Sequence, residues 1–301
     1  MSESTQITFA IPFYSGVPYL CRAIESVLAQ TLKDWVCIVV DDAGPESDTA
    51  AAVASYGDSR IRYVRNQTNL GLAGNWNHAL KLAATPLVTL LHSDDELVPG
   101  YGDAVIAAHA AHPNATAVFT RASIIDSNGE SIFSFPDRIK RTIETLKGSS
   151  ASVSGEAGLN GLLRGQYIFC PTLCYRASQL QPDPFQPRWR MVADLEFLAS
   201  TLLVGGEFVG IPEALYSYRR HSASQTTLLT ASTERFDEEI EIYNEIADRA
   251  STLGWRRAAN TARQKRIIRL HLAYRIIGDL LHRRIDPARS KHTALKRASQ
   301  D

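Results

Sequence analysis

The sequence predicts an α/β layered domain, a mostly parallel, Rossmann-like sheet flanked by helices, with a helical C-terminal extension. Over the first 120 residues, short β-rich runs alternate with amphipathic helical stretches. Residues 37–40 are continuously apolar, and 88–91 are apolar but for Thr89, as strands covered on both faces of a parallel sheet are. From about Thr233 the chain reads as wholly helical.

Strands are expected at residues 7–11, 36–40, 60–64, 86–91 and 116–120, and helices near 18–30, 46–56, 73–84 and 99–112. Leu20, Ile24, Val27 and Leu28 recur at helical spacing, and Pro18 suits a first helical turn. After Thr120 the alternation loosens. Residues 121–154 read as an excursion of short strands and mobile loop, rich in Ser, Gly and charge. Helices return near 157–164 and 194–204, with strands around 168–175 and 207–219. The expected division is an α/β domain over residues 1–225 and a helical extension over 226–301.

A composition of 45% hydrophobic and 21% charged residues over 301 positions suits a globular core and excludes wholesale disorder. The net charge of zero hides a split, because residues 255–301 carry thirteen Lys/Arg against Asp279, Asp286 and Asp301. The tail is thus +10 and the remainder −10. Such a tail suits an acidic counterpart: the body, a membrane surface or a polyanion. From the polar residues 1–6 no secretion signal is expected, and no run approaches the ~20 apolar residues of a membrane span. A cytoplasmic location, with peripheral contact at the inner face of the membrane, is expected. Cys21, Cys37, Cys170 and Cys174 lack CxxC spacing and read as buried, reduced thiols. His109 and His112 lack a third ligand and read as structural. The Arg-rich stretch after Trp255 has neither interleaved aromatics nor a binding motif, so no nucleic-acid partner is expected.

Ligands of an open parallel sheet bind at the carboxyl ends of its strands. Three polar clusters fall there: Pro12-Phe13-Tyr14, Asp41-Asp42 and His92-Ser93-Asp94-Asp95. A carboxylate of Asp41-Asp42 either accepts from a ribose or base edge or caps a turn, and spacing leaves both readings open. Asp94 and Asp95 repel each other unless a cation or donor compensates. A hard divalent ion shared with a diphosphate would do so, and an N-cap for the helix after Pro99 is the alternative. The stretch from Asn69 to Asn77 opens a helix whose N-terminus suits a phosphate, but it matches neither a P-loop nor GxGxxG. Asp194 and Glu196 open another helix, either offsetting its dipole or supplying a general base. His221 follows Tyr218-Arg219-Arg220, a cation cluster able to meet a diphosphate.

In order, these stretches resemble family 2 of the inverting glycosyltransferases, which share the GT-A fold. The likeness runs through Ile11-Pro12-Phe13-Tyr14, Ser26-Val27-Leu28-Ala29-Gln30-Thr31, Val39-Val40-Asp41-Asp42 and Asn69-Leu70-Gly71. It continues with Leu90-Leu91-His92-Ser93-Asp94-Asp95-Glu96-Leu97-Val98-Pro99 and ends at Tyr218-Arg219-Arg220-His221, covering roughly residues 6–225. The resemblance implies that Pro12 and Tyr14 line a nucleotide-base pocket, that Asp42 contacts the base and that Asp94 approaches the ribose. It further implies that Asp95 binds Mn2+ or Mg2+ on the diphosphate, with His221 near that site, and that Asp194 is the catalytic base. Such a cation neutralises charge on the leaving nucleoside diphosphate while the base activates an incoming hydroxyl. The chain departs from the family in two places. Asn75-Trp76-Asn77 stands where Ala-Arg-Asn is frequent, and Ala193-Asp194 replaces an acidic pair, leaving Glu196 and Asp183 as lesser bases.

The expected activity is inverting, metal-dependent transfer of a sugar from a nucleoside-diphosphate sugar to a glycan or lipid-linked acceptor, in cell-surface or exported glycan synthesis. One rival is a catalytically silent sugar-nucleotide-binding or scaffold protein, against which Asp42, Asp94, Asp95 and Asp194 argue. The other is a nucleotidyltransferase, whose early Arg/Lys-bearing glycine loop has no counterpart in Ser15-Gly16-Val17-Pro18. Residues 263–284 are expected as a docking helix. Ile267, Leu270, Tyr274, Ile277 and Leu281 form its apolar face, widened by Ile268, Leu272, Ile276 and Leu280. Arg263, Lys265, Arg266, Arg269, Arg275, Arg283 and Arg284 supply its charge. Its counterpart is an anionic membrane or protein, either the catalytic domain or a second subunit, with the arginines then pairing with acidic residues 234–248.

Overall fold

The computed structural model describes residues 6–132, 151–221, 233–283 and 285–299. Arg284, the expected junction at 225/226 and most of the expected Ser/Gly-rich loop lie outside the described residues. Strands β1 (Ile7–Phe13), β2 (Trp35–Asp41), β3 (Ile61–Arg65) and β4 (Leu87–Leu90) form a parallel half-sheet in the order β3-β2-β1-β4. Beside β4, β8 (Leu173–Arg176) runs antiparallel, then β6 (Ala117–Ile125), then β9 (Glu207–Arg219), which is parallel to β6. Two short strands, β5 (Glu96–Leu97) and β7 (Ala151–Ser154), pair antiparallel with β9.

Side-chain alternation along the strands builds two apolar layers. Ile7, Phe9, Ile11 and Phe13 point to helices α1 (Val17–Leu28) and α4 (Tyr101–Ala111), meeting Leu20, Ile24, Val27, Tyr101 and Val105. Ala10, Ile38, Val40, Val88 and Leu90 point to the other face, against Ala73, Trp76 and Ala79 of α3 (Gly71–Leu82). Only a short α2 (Thr49–Ala54) fills the stretch expected to be helical over residues 46–56. The second layer continues without a break through α5 (Gly155–Arg164) and α6 (Ala193–Leu203) into α7 (Glu234–Thr252), where Phe236, Ile242 and Ile246 are fully buried. The strand expected at 168–175 begins late, because Cys170–Thr172 form a 3-10 turn around Pro171, which has no amide to give to a ladder.

Among the described residues of the extension, α8 (Arg256–Gln264), α9 (Arg266–Leu281) and α10 (Ile285–Arg297) follow α7. The single docking helix expected over 263–284 is therefore two helices. Lys265 breaks it at φ 46°, a left-handed conformation costly for a residue with a Cβ, and its side chain is buried. No described helix is long and apolar enough to cross a membrane. The cysteines are free thiols as expected, except that Cys21 is only half-buried. Burial pushes the thiols of Cys37 and Cys174 up to about 12, so both stay protonated.

Candidate functional site

At the ends of β1 and β2, two carboxylates organise the mouth of the sheet. Asp41 is fully buried, its Oδ1 accepting the Gly44 amide at 2.7 Å and its Oδ2 accepting Tyr63 Oη and Arg65 Nη1, both at 2.5 Å. Gly44 cannot be larger, since a Cβ would lie 1.9 Å from the carbonyl oxygen of Tyr14. The turn-capping reading therefore holds for Asp41. Asp42 Oδ1 accepts Asn66 Nδ2 and the Leu70 amide, each at 2.8 Å, and Oδ2 accepts the Gly71 amide at 2.9 Å. The α3 N-terminus that sequence offered to a phosphate is thus occupied in part by Asp42. A carboxylate has about four lone-pair positions, which leaves Oδ2 room for one further donor. Glu46 Oε2 accepts the Gly16 and Val17 amides at 2.9 and 3.2 Å, tying the β1–α1 turn to the β2–α2 loop. Pro12 is half-buried and Tyr14 exposed on that turn.

The loop after β4 gathers the remaining acidic groups. Asp95 is fully buried, Oδ2 accepting Tyr216 Oη at 2.9 Å and Oδ1 the Arg219 amide at 2.7 Å. Asp94 is partly exposed, and His221 Nε2 lies 3.0 Å from its Oδ2. His92 Nδ1 lies 3.9 Å from Asp95 Oδ2. One ligand atom from each of His92, Asp94 and Asp95 falls within 4.8 Å of the others, and no other such trio occurs among the described residues. Burial, then the Asp94 charge, drives the Asp95 carboxyl well above the usual range, against smaller opposing pulls from Arg219 and Tyr216. Burial lowers His92, with Asp94 pulling the other way, which favours the neutral imidazole that ligates metals. Two carboxylates and an imidazole suit a divalent cation, and a cation between Asp94 and Asp95 would relieve the repulsion that now disfavours the Asp95 charge.

His92 belongs to a strand-end cluster that sequence recognised, but its role emerges only from three dimensions. Its ring lies 5.1 Å from that of Trp76, which in turn meets Phe185 edge-on at 4.9 Å. Asn77 clasps the Phe185 backbone, donating to its carbonyl at 2.7 Å and accepting its amide at 3.0 Å, while Asn75 Nδ2 donates to Val40 O at 3.0 Å. In the departure Asn75-Trp76-Asn77, Trp76 and Asn77 thus link α3 to the Phe185 loop, and Asn75 links it to β2.

That loop leads to Asp194 in the first turn of α6. Gln166 Nε2 donates to Asp194 Oδ2 at 2.6 Å, and the Leu195 amide to Oδ1 at 2.7 Å. The segment after Gln166 enters β8 beside the end of β4, and Phe169 packs on Tyr218 at 5.7 Å. Asp194 is thereby tied, through Gln166, to the segment that leads into β8. The lesser bases are engaged elsewhere: Glu196 accepts Ser200 Oγ at 2.5 Å, and Asp183 pairs with Lys81 at 2.5 Å.

Within the expected cation cluster at 218–220, Arg219 is turned inward. Arg219 is 1% exposed, and its guanidinium donates to Asp94 O and Asp126 O, each at 2.8 Å, and to Glu96. It braces the acidic loop from behind instead of meeting a ligand. The acidic stretch of α7 meets the expectation in part, being shared between the tail and the loop before α6. Glu245 takes Arg188 in a two-pronged pair at 2.8 and 2.6 Å, Glu234 takes Arg190 at 3.3 Å, and Glu238 Oε2 accepts the amides of Arg190 and Met191 at 3.1 and 2.8 Å. From the tail, Arg297 pairs with Asp237 at 2.5 Å and Arg263 with Asp248 at 3.9 Å, both on α7.

A family model described as glycosyl transferase family 2 matches residues 8–157. The succinoglycan biosynthesis protein ExoO of Rhizobium meliloti is 27% identical over 226 residues, 74% of this chain and 63% of that protein. The UDP-Glc:alpha-D-GlcNAc-diphosphoundecaprenol beta-1,3-glucosyltransferase WfgD of Escherichia coli is 35% identical over 89 residues, 30% of this chain and 35% of that protein. The chain thus spans less than two thirds of the length of either relative. The structure of S. aureus TarS 1-349 in complex with UDP-GlcNAc shares its fold at a TM-score of 0.64 and 15% identity, covering 98% of this chain and 92% of that one.

Proposed function

The chain belongs to glycosyl transferase family 2, and on that premise we propose that it moves a sugar from a nucleoside-diphosphate sugar to a hydroxyl acceptor with inversion. The acceptor is a glycan or lipid-linked saccharide of cell-surface or exported glycan synthesis, met at the cytoplasmic face of a membrane. The names of ExoO and WfgD support that acceptor class. The observation that carries the reading is the trio His92, Asp94 and Asp95 after β4, beside the mouth between β1 and β2.

Pro12 and Tyr14 frame the base, and the open lone pair of Asp42 accepts one donor from its edge. Asp94, steadied by His221, faces the ribose, and Asp95 would hold Mn2+ or Mg2+ with His92 and His221 close by. The ion, when bound, supplies positive charge to the diphosphate as it leaves. Asp194 takes the proton of the acceptor hydroxyl as that oxygen attacks the anomeric carbon opposite the diphosphate. Gln166 and the Leu195 amide hold the carboxylate in one orientation for that transfer.

Thermal denaturation and hydrolysis with a panel of UDP-, GDP- and dTDP-sugars, in Mn2+ and in chelator, test this. One nucleotide class should stabilise the protein and be hydrolysed only with the cation. A chain that answers to no sugar nucleotide, or turns over fully in chelator, contradicts it.

A further inference from the structure

Helix α9 has two apolar faces, and only one of them is used by the fold. Ile268 and Leu272 are 2% and 0% exposed in the core shared with α7, where His271 also meets the Phe236 ring edge-on at 5.1 Å. Asp279 on this inner side makes a buried ion pair with Lys291 of α10 at 2.8 Å. The outer side presents Leu270, Tyr274, Ile277 and Leu281, spaced to fall in one line, at 67%, 72%, 58% and 77% exposure. Leu280 and Ile285 broaden the line at 55% and 56%. Twelve residues of helix make this a straight stripe about 17 Å long. Single exposed apolar residues are ordinary, but a contiguous stripe marks a surface that meets something.

Charge selects the occupant. Arg266 and Arg269 stand exposed on the first turn of α9, where a cation opposes the helix dipole, so their placement does not serve the helix. Arg283 follows the far end of the stripe, and Arg289 and Lys296 are exposed along α10, with Asp286 the one exposed acid among the described residues of α9 and α10. A second copy docking through the same stripe would bring two such basic surfaces together. We propose that this outer face seats the protein on an anionic phospholipid bilayer, with the stripe in the boundary between headgroups and acyl chains and the arginines on lipid phosphates. α9 packs on α7, the helix that holds the amides of Arg190 and Met191, so the seat lies one helix away from the loop that leads to Asp194. The inference deepens the membrane-face acceptor reading, yet its test uses no substrate and can fail or succeed without it.

The full chain is sedimented with phosphatidylcholine vesicles with and without phosphatidylglycerol, at low and high salt. It should pellet with the anionic vesicles at low salt, be released at high salt and ignore the neutral ones. Two double variants, Tyr274→Ser/Ile277→Ser and Arg266→Glu/Arg269→Glu, should each weaken binding about tenfold or more. Their changes are at exposed positions, and unchanged melting temperatures confirm that the fold is kept. The proposal is overturned if the wild type stays in solution, if both variants bind as it does, or if light scattering shows a dimer that Tyr274→Ser/Ile277→Ser dissociates.

Discussion

Arg219 donates its backbone amide to Asp95 Oδ1 at 2.7 Å while its Nε reaches the carbonyl oxygen of Asp94 at 2.8 Å. One buried residue of β9 therefore fixes both members of the acidic pair after β4. Because Tyr216 also donates to Asp95, that carboxylate is both a candidate ligand and a strut of the loop.

This dual role shapes the first prediction. Asp95→Asn keeps an acceptor for the Arg219 amide and a polar partner for Tyr216, so the fold should lose no more than about 1–2 kcal/mol while turnover collapses. Asp95→Ala orphans two buried donors and should cost about 1–3 kcal/mol for each. Melting temperature and Mn2+-dependent turnover, measured on both variants, separate ligand from strut. An Asp95→Asn enzyme as active as wild type removes Asp95 from the cation site.

The second prediction concerns Arg219 itself. Arg219→Met fills much the same volume but leaves the carbonyls of Asp94 and Asp126 without their donor and Glu96 without its cation. A loss of about 3 kcal/mol in urea unfolding is expected, together with weaker stabilisation by Mn2+. Were the side chain on the diphosphate, stability would be unchanged and only nucleotide affinity would fall.

A third prediction follows from His109, buried with Nε2 2.9 Å from the Cys174 carbonyl oxygen and Nδ1 3.1 Å from Arg176 Nη2. Burial first, with Arg176 adding to it, lowers its pKa from 6.5 to about 4, against the pull of the Cys174 carbonyl. The unfolded chain takes up a proton near pH 6.5 whereas the folded one does not until about pH 4. Stability is therefore complete above pH 6.5 and falls as pH drops toward 4, by about 3 kcal/mol in all. Urea unfolding of wild type and His109→Gln between these limits checks this. The difference between them should shift toward the variant as pH falls, and parallel curves would refute it.

The parallel half-sheet was legible in sequence because β1, β2 and β4 are buried on both faces, and unbroken apolar runs such as Val39-Val40 announce that directly. The strand-end acids were legible for the same reason, since polarity that begins abruptly after a buried strand marks its exit. The part played by Arg219 was not. An arginine between Tyr218 and Arg220 looks like a solvent-facing cation, and only the pairing of β5 with β9 turns it under the acidic loop. Lys265 was hidden likewise, because the periodicity of 263–281 runs through it and a left-handed lysine leaves no mark in the pattern. The acidic residues of α7 read as partners for a basic tail, whereas Arg188 and Arg190, distant in sequence, arrive first.

The last prediction concerns that helix and Asp194. Asp194→Asn should preserve sugar-nucleotide affinity and lower turnover by about 10² to 10⁴-fold, the usual contribution of a general base. Glu238 acts on the same group from a distance. Its carboxylate accepts the amides of Arg190 and Met191, four and three residues before Asp194, and so sets where α6 begins. Glu238→Ala frees those amides and should lower kcat several-fold with KM for the donor nearly unchanged. Glu238→Gln keeps an accepting oxygen and should restore most of the rate. The two effects should also fail to add, because a misplaced base and an absent base are the same defect: Glu238→Ala made on top of Asp194→Asn should change kcat little further. A full additional loss in that double variant, or a Glu238→Ala enzyme whose only change is a lower melting temperature, would show that Glu238 supports the fold and not the position of the base.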